Sequence, residues 1–216
     1  MNRAIFLVLA FLPLLCLFNC KKDTSSIMGI NDSDSLDLIV RKPNIYIYPT
    51  APIDLHLQIS FPNGGQIIKS IPAYNGEWEI NVQPSGLINN QYEYLFYEAR
   101  IPQLVQRDFG WVINGTDLPT FFKENLASLR FSMKEIDDFV EYWIPLLDPK
   151  KNYVIYPQFN DNLDEIVRLK FSKTPDNVIR IFYLLEEHRE DETINMPYLP
   201  ATTREGFTVM EWGVVY

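Results

Sequence analysis

The stretch that decides the fold is Leu118-Pro119-Thr120-Phe121-Phe122-Lys123-Glu124-Asn125-Leu126-Ala127-Ser128-Leu129, followed after Arg130-Phe131 by Ser132-Met133-Lys134-Glu135-Ile136-Asp137-Asp138-Phe139-Val140-Glu141-Tyr142-Trp143-Ile144-Pro145-Leu146-Leu147. Leu118, Phe121, Phe122, Leu126 and Leu129 recur at three- and four-residue spacing, which gathers them on one face of an α-helix. Thr116 or Asp117 is expected to cap it. Ser132 and Glu135 form a capping box, in which each side chain satisfies a free backbone N–H of the other residue. The stripe Ile136, Phe139, Val140, Trp143, Ile144 and Leu147 then predicts a second helix, ended or kinked by Pro145, which has no N–H to donate. Joined near Arg130 to Ser132, the two helices read as an antiparallel hairpin.

On both sides of this hairpin the hydrophobic period is two. Ile45 to Tyr48 forms a short strand between Pro43 and Pro49. Ile53, Leu55, Leu57, Ile59 and Phe61 alternate with Asp54, His56, Gln58 and Ser60, as a half-buried strand requires. Pro62-Asn63-Gly64-Gly65 turns the chain, because Asn and Gly accept positive φ cheaply. Trp78, Ile80 and Val82 alternate with Glu77, Glu79 and Asn81, and Tyr92 to Tyr97 reads as a strand covered on both faces. Beyond the helices, strands are expected at Tyr153–Tyr156, Glu165–Phe171, Val178–Leu185 and Phe207–Tyr216, with Glu186 to Pro200 a long loop. Strands, then helices, then strands predict an α+β fold. Antiparallel, sandwich-like sheets would carry a central two-helix hairpin between N- and C-terminal strands.

The chain opens with Arg3, an uncharged run from Ala4 to Phe18, and Leu17-Phe18-Asn19-Cys20. This is the layout of a secretory signal peptide cut before a cysteine. It resembles the lipobox of bacterial lipoproteins, which implies an acylated Cys20 as the attachment to a lipid bilayer. The run is shorter than the about 20 apolar residues a membrane-crossing helix needs. The expected organisation is a signal peptide over residues 1–19, a polar tether over 20–40 and one globular domain over 41–216. Random-coil scaling gives the tether a reach of about 25 Å. The only cysteines are Cys16 and Cys20, so the domain has neither disulfide nor thiolate metal site. With 28 acidic against 19 basic residues and a net charge of −9, the chain is ill suited to nucleic acid, which is bound by neutralising phosphates.

Lys42-Pro43-Asn44-Ile45-Tyr46-Ile47-Tyr48-Pro49 resembles the opening of an uncharacterised family of bacterial secreted and lipoprotein sequences. The resemblance continues at Pro72 to Trp78, at Tyr92-Glu93-Tyr94-Leu95-Phe96-Tyr97-Glu98, at Phe139 to Leu146, and at the ending Arg204 to Gly213. It covers most of residues 42–213 and implies no catalytic residue, cofactor or substrate.

No Gly-x-Ser-x-Gly elbow or Gly-rich phosphate loop is present. His56 falls on a polar strand face and His188 in a charged loop, neither in metal-ligand spacing, so no metal or cofactor is expected. The best catalytic candidates are Glu98 and Glu211, each beside aromatic residues, as a carboxylate pair acting on glycan. The plainer reading pairs Glu98 with Arg100 or Arg107, and has Glu211 pair with Arg204 or cap a strand end. Among the tryptophans, Trp111 beside Gly110 is the one expected at the surface, where it would stack on a sugar. The favoured expectation is a membrane-anchored envelope lipoprotein that binds an envelope glycan or a protein ligand, or has a structural role. The alternative is an envelope hydrolase.

Overall fold

The computed structural model describes residues 38–189 and 193–215. The expected signal peptide, Cys20 and the expected tether as far as residue 37 lie outside the described residues. Strands β1 (Leu38–Tyr48), β2 (Ile53–Ser60), β3 (Gln66–Ile71), β4 (Trp78–Val82), β5 (Leu95–Ile101) and β6 (Trp111–Asn114) come first. Helices α1 (Leu118–Ser128) and α2 (Met133–Trp143) follow, then β7 (Asn152–Phe159), α3 (Asn160–Ile166), β8 (Arg168–Phe171), β9 (Asn177–Glu187) and β10 (Thr208–Val215). Among the described residues no helix is long and apolar enough to cross a membrane.

A seven-stranded sheet runs in the order β3-β5-β1-β10-β9-β7-β6, and a three-stranded sheet in the order β4-β2-β8. Alternation along each strand divides the interior into two layers. Ile45, Ile47, Tyr97, Val209 and Phe182 meet Leu55, Leu57, Trp78 and Ile80 of the small sheet. The alternate residues Tyr46, Met210, Trp212, Ile181 and Tyr183 meet Phe122, Leu126, Phe139 and Trp143 of the helix hairpin. The fold is therefore α+β and sandwich-like, with the large sheet between the small sheet and the hairpin. Phe122 and Phe139 are fully buried, and each such ring contributes about 1.5–3 kcal/mol of transfer free energy. β10, central in the large sheet, is buried along all eight residues, which is why Phe207 to Val215 reads as nearly continuous apolar sequence.

Ladder pairs are antiparallel except for β9 and β10. A parallel neighbour needs a connection that travels back along the strand, and the stretch between Glu187 and Thr208 does this. Gly110 N–H donates to Asn195 O at 2.9 Å and ties the crossover down. The capping box of α2 forms as expected, with Ser132 N–H donating to Glu135 Oε2 at 2.7 Å. The cap before α1 differs: Asp117 makes no side-chain cap bond, and Asn114 Oδ1 accepts from Thr116 N–H at 3.0 Å.

Three boundaries and two edge strands differ from expectation. β1 starts at Leu38, so the last residues read as tether pair with Ile101, Arg100 and Ala99 of β5. β5 starts at Leu95, because Ile88 and Tyr92 close a tight turn with Asn89 and Asn90 at positive φ. Residues 165–166 end α3 rather than begin a strand; Leu163 and Ile166, three apart and buried, are the signal. The edge strands β3 and β6 were unrecognised, since with one ladder side open their alternation is weak.

Candidate functional site

β1 has neighbours on both sides, and proline in such a strand removes a ladder hydrogen bond. The chain accommodates Pro43 with a bulge: the register to both β10 and β5 shifts between residues 40 or 41 and Asn44. Lys42 takes φ +54° there, a left-handed conformation that costs a non-glycine residue roughly 1–2 kcal/mol. Gly213 lies opposite the bulge, where a Cβ would meet the Phe182 ring at 3.0 Å and Pro43 Cα at 3.4 Å. Bulges re-aim side chains, and this one turns Lys42 onto a cluster of rings. Its Nζ lies 5.0 Å from the centroids of Tyr94 and Phe96, and 5.3 Å from that of Tyr142. It also donates to Tyr94 Oη at 3.2 Å.

These groups line a cavity of about 560 Å³ together with Lys69 and Glu98. Lys69 stands opposite Glu98 in the β3–β5 register, with its Nζ 5.4 Å from the Phe96 ring. The site thus joins two ammonium groups, the carboxylates of Glu98 and Glu93, and aromatic faces. Beside it, Asn44 is 1% exposed and pairs with Phe96 across the ladder. Its Nδ2 donates to Tyr46 Oη at 3.3 Å, whereas its Oδ1 has no hydrogen-bond partner. Tyr46 Oη donates to Asp138 at 2.9 Å; burial first, then the Asp138 charge, push this phenol far above its usual range, so it stays a donor. Lys134 bridges Asp138 and Glu93, the latter at 2.8 Å, which ties α2 to the cavity wall.

Glu98 is therefore in the cavity, but Glu211 is not. The β1 ladders align Leu95, Ile45 and Glu211 on one sheet face. Glu98, three residues from Leu95, projects from the other. Nor are the strands neighbours, since β1 separates them. Glu211 is fully buried between the sheets, paired with Arg180 and accepting from Tyr97 Oη at 2.9 Å. The expected partner of Glu211, Arg204, instead grips Glu135 with both terminal nitrogens at 2.7 Å. Arg107, expected near Glu98, pairs with Glu186 at 2.9 Å. Trp111, expected at the surface, is buried with its ring 5.2 Å from Phe121, because β6 packs beneath α1. That placement withdraws it as a sugar platform.

His56 and His188 stand on different elements. His188 follows the end of β9, and its N–H donates to Asn152 O at 2.9 Å. His56 meets Glu77, with Nδ1 3.5 Å from Oε2. Sequence reasoning missed Lys42, Lys69 and Tyr142 as a group. The one local signal was a Lys-Pro pair inside an apolar strand. Segments distant in sequence, around Lys42, Tyr94 and Tyr142, meet at this cavity. Comparison with family models, with curated proteins and with solved structures finds no match to this chain.

Proposed function

We propose that this protein is a lipid-anchored component of the bacterial envelope whose globular unit binds an acidic glycan in the cavity at the β1 bulge. The observation that carries the reading is Lys42, held in a left-handed conformation within a central strand and aimed among three aromatic rings. Such strain collects where a side chain's position serves function. Sugar rings present C–H faces to Tyr94, Phe96 and Tyr142. A uronic-type carboxylate meets the Lys42 and Lys69 ammonium groups, and Glu98 accepts from hydroxyls. The address is supported by Arg3, the apolar run and Cys20 before Lys21-Lys22, which together suit acylation at a new N-terminus. A binding role is favoured over hydrolysis by the carboxylates. A glycosidase pair faces one cleft at about 5–10 Å, whereas Glu98 and Glu211 project from opposite faces of a sheet.

Calorimetric titration of the full chain in detergent with oligogalacturonate and its carboxyl-reduced neutral analogue tests the site. The charged ligand is expected to bind at least about tenfold more tightly. Lys42→Gly, which accepts the same φ, is expected to keep the fold and lose that preference. Equal binding of both ligands, or an unchanged preference in Lys42→Gly, overturns the reading. The anchor is tested by mass spectrometry of the N-terminal peptide from membrane-extracted protein. An acylated Cys20 is expected, and an unmodified peptide beginning elsewhere overturns it.

A further inference from the structure

The outer face of the three-stranded sheet carries a second group of side chains, separate from the cavity. His56 of β2 lies directly across the ladder from Glu79 of β4. Glu77, two residues before Glu79, projects from the same face and accepts from Gln58 Nε2 at 3.3 Å. One imidazole nitrogen and one oxygen of each carboxylate all lie within 4.8 Å of one another. Their backbone positions are fixed from beneath, since the alternate residues Leu55, Leu57, Trp78 and Ile80 are buried. Trp78 Nε1 also donates to Pro72 O at 2.9 Å, which holds the chain leading into Glu77.

Two carboxylates on one strand face repel unless a cation intervenes. Among the described residues, no lysine or arginine forms an ion pair with Glu77 or Glu79. The neighbouring strand β8 offers Lys170 opposite Gln58 and Arg168 opposite Ser60, and Arg168 pairs with Glu165. Asp54, next along β2 on this face, accepts from Asn81 Nδ2 at 3.0 Å. The pair of glutamates beside His56 is therefore short of positive charge.

We propose that His56, Glu77 and Glu79 bind a zinc ion, with water completing the coordination. An imidazole nitrogen with two carboxylate oxygens suits a borderline divalent metal, and three protein ligands plus water is a common zinc arrangement. Zn–N and Zn–O bonds of about 2.0–2.2 Å bring tetrahedral ligand atoms to roughly 3.3 Å separation, a modest side-chain rotation from the observed spread. Magnesium and calcium prefer six or more oxygens and are poorly served by this donor set. The ion would clamp β2 to β4 and remove the glutamate repulsion, so it stabilises the folded chain by mass action.

The test uses the full chain in detergent after chelator treatment, with zinc chloride as the probe. Affinity is read by competition with a chromophoric chelator, and stability by thermal unfolding with and without metal. Zinc is expected to raise Tm, and magnesium to leave it unchanged. His56→Ala and Glu79→Gln are each expected to weaken binding at least about tenfold, abolish the rise, and leave the metal-free Tm nearly unchanged. His188→Ala, which keeps all three ligands, is expected to behave as the parent. Absence of a zinc-dependent rise in the parent overturns the proposal, and so does a rise that persists in His56→Ala.

Discussion

Arg180 brings a guanidinium into the apolar layer between the two sheets, where it is 2% exposed. Glu211 and Asp164, the latter at 2.8 Å from Nη1, surround it, and Tyr97 donates to the same Glu211. Burial opposes the charge on Arg180, but the Glu211 and Asp164 carboxylates outweigh it and hold the group protonated. Burial, and then Glu211, push the Tyr97 phenol well above its usual range, so it remains a neutral donor. A buried pair of this kind gains little over apolar side chains of similar volume, whereas one charge left alone is expensive. Arg180→Met is therefore expected to lower the unfolding free energy by about 3–5 kcal/mol, and Arg180→Met with Glu211→Leu to recover most of that. Urea unfolding of both variants checks this. A double variant no more stable than the single would locate the loss in packing rather than charge.

At the scale of elements, Glu135 joins α2 to three other parts of the chain. Its carboxylate accepts from Ser132 N–H and from Arg204 of the crossover, and its backbone carbonyl accepts from Trp212 Nε1 at 3.0 Å. The capping box thus sits where α2, β10 and the crossover meet. Ser132→Ala removes the acceptor for Glu135 N–H and is expected to cost about 1 kcal/mol, or about 2–4 °C in Tm for a chain of this size. Asn114→Ala is expected to cost a similar amount, because Asn114 supplies the cap bond before α1. Asp117→Ala, whose side chain makes no cap bond, is expected to change Tm little. Thermal melts of the three variants compare them directly. If Asp117→Ala were the most damaging of the three, the assignment of caps would be wrong.

For the molecule as a whole, this cluster sets a response to acid. Burial alone would raise the Glu135 carboxyl, but hydrogen bonds from Arg204, Tyr48 and the Ser132 backbone, with the Arg204 charge, hold it below the usual range. A carboxyl depressed in the folded state contributes stability in full above its unfolded value, about pH 4.3, and loses it as pH falls toward the folded value. Urea midpoints are expected to be level between about pH 7 and 5 and to fall below about pH 4. Glu135→Gln is expected to start from a lower midpoint at pH 7 and to fall less steeply. A variant whose acid limb matched the parent's would assign the response to other carboxylates.

The sequence by itself determined which segments are helix and which are strand wherever local signals are strong. The stripe from Ile136 to Leu147, the alternation from Ile53 to Phe61, and the Ser132–Glu135 box can all be read locally, because 3.6- and two-residue periods and cap bonds span only a few positions. Weak edges such as β3 escaped the same reading, since an open ladder side relaxes the alternation. Only the tertiary structure decided that β1 separates β5 from β10, that Glu98 and Glu211 face opposite ways, and that Trp111 lies inside. It alone brought Lys42 to Tyr142 and His56 to Glu79. Pairings between distant segments leave no periodic trace in the chain, and a bulge or one-residue shift of register exchanges the face on which every later side chain emerges.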